Sequence, residues 1–259
     1  MNQIRYFIFL ITISLVAQPE IQADLDNKLA FGSDQLIAID NFNTTYHIIG
    51  EAFYKTNAEG SINYSNVQLG RISSASVFNP LKINIFYHDF NTAVILDNRL
   101  AEITKIDFNN KAPFRVVTQI STGNDNTIWL YNQNTQQLEL FDYITQKTRI
   151  TTLPIKGEVI DMNSNYNYCW VLTKEHIYTY NYFGSLTEKI PNPGFSKLEE
   201  DNDNIYLQRE NSLFFKHQNV TEIQPIKLPE LLINQFLVTD ETLYIYDGEI
   251  LHRFQLKMN

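Results

Sequence analysis

One unit recurs six times along this chain: a short strand-like run carrying an aromatic residue, a tight turn, and a second apolar run. The aromatic and its apolar companion stand at Tyr46/Phe53, Phe86/Val94, Trp129/Leu138, Trp170/Ile177, Tyr206/Leu213 and Tyr244/Leu251. Successive aromatics lie 40, 43, 41, 36 and 38 residues apart. A repeat of that length built only from short strands is a severe constraint. Each unit is a small antiparallel sheet that cannot bury its own faces, so it must stack on its neighbours around a ring. The sequence therefore predicts an all-β fold, a six-bladed β-propeller of four-stranded antiparallel blades. Rings of five or seven blades are the alternative counts.

The third and fourth units show the pattern best. In the third, the runs are Arg115–Ser121, Asn126–Tyr131, Gln137–Asp142 and Thr148–Leu153. In the fourth they are Gly157–Asn163, Asn167–Leu172, His176–Asn181 and Leu186–Ile190. Apolar residues alternate with polar ones at period two, as Leu138 and Leu140 do about Glu139, and Asn, Gly, Asp and Pro clusters separate the runs as turns. The last unit supplies only Ile233–Thr239, Thr242–Tyr246 and Glu249–Leu256. Asn27–Phe31 is the natural donor of its fourth strand, which would tie the ring shut and remove an exposed edge. No helical period persists beyond the first residues and no linker interrupts the chain, so residues 24–259 are read as a single β-propeller domain.

The first residues have a different character. Arg5 precedes Tyr6–Ala17, a run of twelve apolar-rich residues followed by the polar QPEIQADLDNK. A bilayer span needs about twenty residues, whereas a signal-peptide core needs about this many. Residues 1–23 are read as a signal peptide, cut after Ala17 or after Ala23. The small-residue preference at position −3 does not separate the two, because Leu15 and Ile21 are both poor fits. No cysteine follows the run to carry a lipid, and Cys169 is the only cysteine in the chain, so no intramolecular disulfide can form. The chain is expected to be exported to the periplasm or the exterior, with no membrane span and no lipoprotein anchor. Its Asn and Ile content points to an AT-rich bacterial genome.

The search for chemistry returns little. Net charge is −9, from 29 acidic and 20 basic residues, with no Lys/Arg run, which argues against a nucleic-acid partner and against anionic lipid. No Gly-x-Ser-x-Gly, Gly-x-Gly-x-x-Gly or His-Glu-x-x-His motif is present, so no catalytic residue is assigned. The five histidines, His47, His88, His176, His217 and His252, are never at metal-ligand spacing. Neither a metal nor a cofactor is expected. The densest acidic run, Glu199-Glu200-Asp201-Asn202-Asp203, lacks the glycine and the closing glutamate of a calcium loop and reads as a solvated hairpin. The run Ile72–Val77 is small and hydroxylated, as suits a crowded channel wall.

A propeller places the turns between blades and the turns between its second and third strands on one face. Loops on a rigid scaffold carry function. The residues on that face are Arg71, Asp89, Phe90, Phe114, Arg115, His176, Phe195, Arg209 and Asp247, rich in the Arg and aromatic types that dominate interfaces. They form the expected ligand or partner face.

NVQLGRISSASVFNPLKINIFYHDFNTAVILDNRLAEITKIDF, with the export signal, resembles uncharacterised exported β-propeller proteins of the Bacteroidetes, flavobacteria in particular. The likeness runs on through TIWLYNQNTQQLELFDY to LYIYDGEIL. It implies the fold and export, and it brings no activity. NTIWLYNQNTQQLELFD is more distantly similar to the repeats of NHL, YVTN and outer-membrane-assembly propellers. The tryptophan-docking motif of quinoprotein propellers is missing. The functional expectation is a monomeric, non-enzymatic binding or scaffold protein of the cell envelope with an envelope protein as partner. The alternative is a propeller hydrolase or lyase acting on a small carbohydrate or lactone at the channel mouth.

Overall fold

The computed structural model describes residues 21–258. The run Tyr6–Ala17 lies outside these. Every long element is a strand. β1 (Ile21–Ala30) comes first, followed by β2 (Gln35–Ile39), β3 (Thr45–Ile49), β4 (Ala52–Asn57) and β5 (Gly60–Ser65). Next are β6 (Ser74–Ser76), β7 (Ile83–Tyr87), β8 (Thr92–Leu96) and β9 (Glu102–Asp107). The two units that the sequence defined best become β10 (Val117–Thr122), β11 (Thr127–Asn132), β12 (Gln137–Asp142) and β13 (Lys147–Thr151), then β14 (Val159–Ser164), β15 (Tyr168–Thr173), β16 (His176–Asn181) and β17 (Leu186–Pro191). The chain ends with β18 (Lys197–Asp201), β19 (Asn204–Arg209), β20 (Ser212–Lys216), β21 (Gln224–Lys227), β22 (Gln235–Thr239), β23 (Thr242–Tyr246) and β24 (Ile250–Lys257).

Local chemistry explains the punctuation. Asn202 and Asp203 both take positive φ between β18 and β19, and Asp240 and Glu241 do so between β22 and β23. Such two-residue turns match the right-handed twist of the strands they join. Between β2 and β3, Asp40 Oδ1 accepts the backbone N–H groups of Phe42 and Thr44, each at 2.9 Å, an Asx turn that caps the hairpin.

The strands do not sort into six separate four-stranded blades, and that expectation is corrected here. They form five sheets: four of four strands each, and one of eight in the order β18-β19-β20-β21-β1-β24-β23-β22. The physical reason is the length of β1. The donor strand expected at Asn27–Phe31 begins instead at Ile21. It pairs antiparallel with β24 from Gln22↔Lys257 to Ala30↔Ile250, with a bulge between Leu25 and Asn27. Its first two residues pair in parallel with β21, Ile21↔Ile226 and Gln22↔Lys227, so that Gln22 is paired on both sides. One strand thus belongs to two neighbouring groups and fuses them. The exposed remainder of β1 carries ion pairs to β24, Asp26–Arg253 at 3.2 Å and Asp24–Lys257 at 2.5 Å. Charges of this kind discourage edge-to-edge pairing.

Among the described residues the hydrophobic core is divided among six clusters between successive groups of strands. Ile83, Ile85, Val94 and Leu96 meet Tyr46, Ile48 and Phe53, for example, and Trp129, Leu138 and Leu140 meet Cys169, Val171 and Tyr178. Each group is therefore held by its neighbours on both flanks. The inner strands β2, β6, β10, β14, β18 and β22 touch in that order, and β22 returns to β2, which closes a ring.

Candidate functional site

The ring encloses a cavity of about 720 Å³ lined by the six inner strands and by the turns that follow β2, β6 and β18. Its two sides differ in chemistry. On one side Ser73, Ser74, Ala75 and Ser76 line it together with Gln119 and Ser121, all small or neutral. Ser76 and Thr122 share a hydroxyl–hydroxyl bond of 3.2 Å there. The crowded, hydroxylated wall read from Ile72–Val77 is thus found where the sequence places it.

The other side is acidic. Asp161 and Asn163 stand on one face of β14, with Asn165 two residues further on, and all three reach toward β18 and the turn after it. Asp161 Oδ2 accepts the Leu198 N–H at 2.9 Å, and its Oδ1 lies 3.9 Å from Lys197 Nζ. Asn163 Nδ2 donates to Glu199 Oε2 at 3.0 Å. Asn165 Nδ2 donates to Glu200 Oε2 at 2.8 Å and to Asp203 Oδ1 at 2.7 Å. Asp201 Oδ1 accepts the Asp240 N–H at 3.2 Å. Glu199, Glu200 and Asp201 are therefore half-buried strand residues on a channel wall, and the solvated-hairpin reading of this run is corrected.

Electrostatics follow from this crowding. Burial, then the charges of Asp161 and Glu200, push the Glu199 carboxyl up to about 8, against the pull of Lys197 and the Asn163 hydrogen bond. Burial pushes Glu200 up to about 7, with Asp201 and Asp203 adding to it and the Asn165 hydrogen bond opposing. Burial also raises Asp161 and Asp201. Each carboxyl is held above its ordinary range because its charged form loses water, and Glu199, Glu200 and Asp201 also have like-charged neighbours. A cation entering here would offset the crowding of like charges. Among the described residues lining the cavity, Lys197 is the only Lys or Arg, and there is no His or Cys. Among the described residues no group of three His, Cys, Asp or Glu is placed to hold a metal ion.

One mouth of the channel is aromatic. Phe42, in the turn after β2, is 87% exposed, and Phe78 and Pro80 line the cavity from the turn after β6. Tyr166, after β14, meets Phe78 edge-on with ring centres 4.9 Å apart, and its hydroxyl accepts from Asn79 Nδ2 at 2.7 Å. Exposed aromatics beside a cavity are what a binding site presents to a partner.

The nine residues expected to form the partner face lie at the opposite ends of the strands, and none lines the cavity. Arg71 and Phe114 are exposed in the connections before β6 and β10, and Asp89 and Phe90 are exposed in the short 3-10 helix His88–Phe90 between β7 and β8. Arg115 is 3% exposed and turns inward, with Nε 2.8 Å from Glu139 Oε2, Nη2 2.9 Å from Thr148 Oγ1, and the guanidinium over Phe141. Phe195 is buried, edge-on to Phe214, and Arg209 lies across both rings. His176 is half-buried at the start of β16, its backbone N–H bonded to Thr173 Oγ1 at 2.9 Å. Asp247 Oδ2 pairs with His252 Nε2 at 2.8 Å, and that bond with the Ile250 and Glu249 N–H groups holds its carboxyl down to about 2. The structure brings Phe195 and Arg209 together and leaves the others dispersed. Arg115 and Phe195 are corrected from surface contacts to core packing, since a desolvated guanidinium paired with a carboxylate is satisfied internally.

No protein-family model matches the sequence, and no curated protein matches it. Solved structures match its shape. A streptogramin B lyase is 14% identical, with a TM-score of 0.62 over 92% of this chain and 93% of that one. The virginiamycin B lyase of Staphylococcus aureus, as a catalytically inactive variant with quinupristin, is 11% identical, with a TM-score of 0.61 over 86% of this chain and 80% of that one. The WD40 domain of Neurospora crassa Pan2 is 10% identical, with a TM-score of 0.56 over 85% and 74%. At such identities the likeness concerns the fold alone, and it makes this chain a β-propeller. Propellers of this shape include both lyases and WD40 proteins, so fold does not choose between the two functional expectations.

Proposed function

We propose that the protein is an exported, non-enzymatic binding protein of the bacterial cell envelope that receives a cationic segment of a protein partner at the aromatic mouth of its channel. The observation that carries this reading is the juxtaposition of exposed Phe42 and Phe78 with the four crowded carboxyls of Asp161, Glu199, Glu200 and Asp201, faced by the single cation Lys197, in one cavity. Aromatic faces attract cations, and crowded carboxyls gain most from one. The export part rests on the apolar run Tyr6–Ala17 and on the resemblance to exported propellers. Among the described residues no helix is long and apolar enough to cross a membrane. A location in the periplasm or outside the cell, unlipidated and monomeric, goes with this reading.

A second reading, a lyase or hydrolase, has its own support. Glu199 and Asp161 are neighbouring carboxyls with unlike partners, Glu199 accepting from Asn163 and Asp161 lying 3.9 Å from Lys197, and unlike environments are how acid and base roles are divided in many enzymes. Crosslinking of the tagged protein in the envelope fraction of its host separates the two. The binding reading expects a partner that is captured by the wild type and lost in both Phe42→Ser/Phe78→Ser and Glu199→Gln/Asp201→Asn. A partner retained by both variants, or turnover of a lactone or glycoside abolished by Glu199→Gln, overturns it.

A further inference from the structure

The sequence leaves two positions for removal of the leader, after Ala17 and after Ala23, and Ile21–Ala23, which lie between them, are built into the fold. Ile21 is 5% exposed and packs with Tyr206, Phe215, Ile226 and Leu256. Gln22 and Ala23 pair with Lys257 and Leu256 of β24, and Ala23 packs against the same cluster. Ile21 and Gln22 also make both of the parallel pairings that join β1 to β21. These residues thus belong to the core and to the junction of the eight-stranded sheet.

We propose that the leader is removed after Ala17, so that the mature chain begins at Gln18 and keeps Ile21–Ala23. The proposal rests on the export reading above and is independent of what the channel binds. A leader peptidase would add water across the Ala17–Gln18 amide, leaving a carboxylate on Ala17 and a free amine on Gln18. A cut after Ala23 would instead place the new charged amine on Asp24, inside the ladder opposite Gln255. It would also delete a buried isoleucine beside an existing cavity of about 350 Å³ lined by Ile21, Tyr206, Phe215 and Met258. Deleted core volume that the surroundings cannot refill is destabilising in proportion to the space left. It would further part β21 from β1.

The test is the intact mass of the full-length chain, tagged at its C-terminus and recovered from outside the cytoplasm of a bacterial host. A mature protein starting at Gln18 is expected, and one starting at Asp24 overturns the proposal. A chain that stays cytoplasmic with residues 1–17 attached overturns the export reading, and the proposal with it, and is recognised by its location. A second measurement does not depend on export. Chains made directly from Gln18 and from Asp24 are melted side by side, and the shorter is expected to unfold on the order of 5 °C lower. Ile21→Ser in the longer chain should reproduce part of that loss. Equal melting of the two chains overturns the proposal.

Discussion

Two glutamates on strands of this ring, Glu139 and Glu199, have opposite fates. Glu139 in β12 is 5% exposed, yet its carboxyl is held below its ordinary value. Burial is the largest single influence on it and acts upward. It is outweighed by hydrogen bonds from Thr148, Asn132 and Arg115 together with the guanidinium charge. For Glu199 in β18 burial is again the largest influence, and the Asp161 charge adds to it while only Lys197 and one hydrogen-bond donor, Asn163, oppose, so its carboxyl rises to about 8. Burial is common to both, and the partners decide the sign. The first site is internally complete and reads as structure. The second is left wanting a positive charge, and that makes it the place to look for a ligand.

The comparison can be broken most forcefully at Arg115. Arg115→Met strands the Glu139 carboxylate in the core and should cost about 3–5 kcal/mol in urea unfolding, as removal of one member of a buried pair does. A loss under about 1 kcal/mol would mean that the pair is dispensable and the contrast with Glu199 overstated. The pH dependence comes next. A carboxyl raised from 4.5 to about 8 binds more protons folded than unfolded between those values, so it lowers stability as pH climbs from about 5 to 8. Glu139, held low, works the other way and lends stability that is lost only in acid. Urea midpoints across that range should therefore slope downward in the wild type and less steeply in Glu199→Gln, where Glu200, raised to about 7, keeps part of the slope, and an unchanged slope would remove Glu199 from the account. Arg209→Ala, which lifts a guanidinium off Phe195 and Phe214, should cost about 0.5–1 kcal/mol in the same assay. Smallest is Phe42→Ser, expected to shift stability by no more than about 0.5 kcal/mol, because the ring touches water and little else. Its larger effect is expected in capture of the proposed partner.

Much of the fold was legible because hairpins are local. Tyr46, Trp129, Trp170, Tyr206 and Tyr244 all sit in the second strand of their groups, and their companions sit in the third, diagonal rather than directly opposite. Tyr131 faces Leu138, for instance, while Trp129 faces Leu140. What period and turn chemistry could not disclose was a two-residue parallel contact between Ile21–Gln22 and Ile226–Lys227, which leaves no local pattern. The site was less legible for the same reason. Whether Arg115 faces solvent or Glu139 depends on a strand 24 residues away. Whether Glu199 is wet depends on ring closure. One signal was available in advance: Asp161, Asn163 and Asn165 at period two put hydrogen-bonding side chains on one face of an inner strand, and such a face needs a polar partner across the gap.

Ring closure has a further consequence, in time rather than in energy. The first and last inner strands are joined by Gln235 Oε1 accepting the Leu36 N–H at 2.7 Å and by Thr239 Oγ1 donating to the Ile39 carbonyl at 3.0 Å. These are bonds between residues 199 and 200 positions apart. Closing so long a loop costs little more free energy than closing a shorter one, since the cost grows with the logarithm of length, but contacts this distant slow folding. Each hairpin forms from neighbours as soon as it is made. The circle needs Gln235–Thr239, and the eight-stranded sheet needs β24 as well, so the four separate sheets can form while the ring is still open and its acidic wall not yet enclosed.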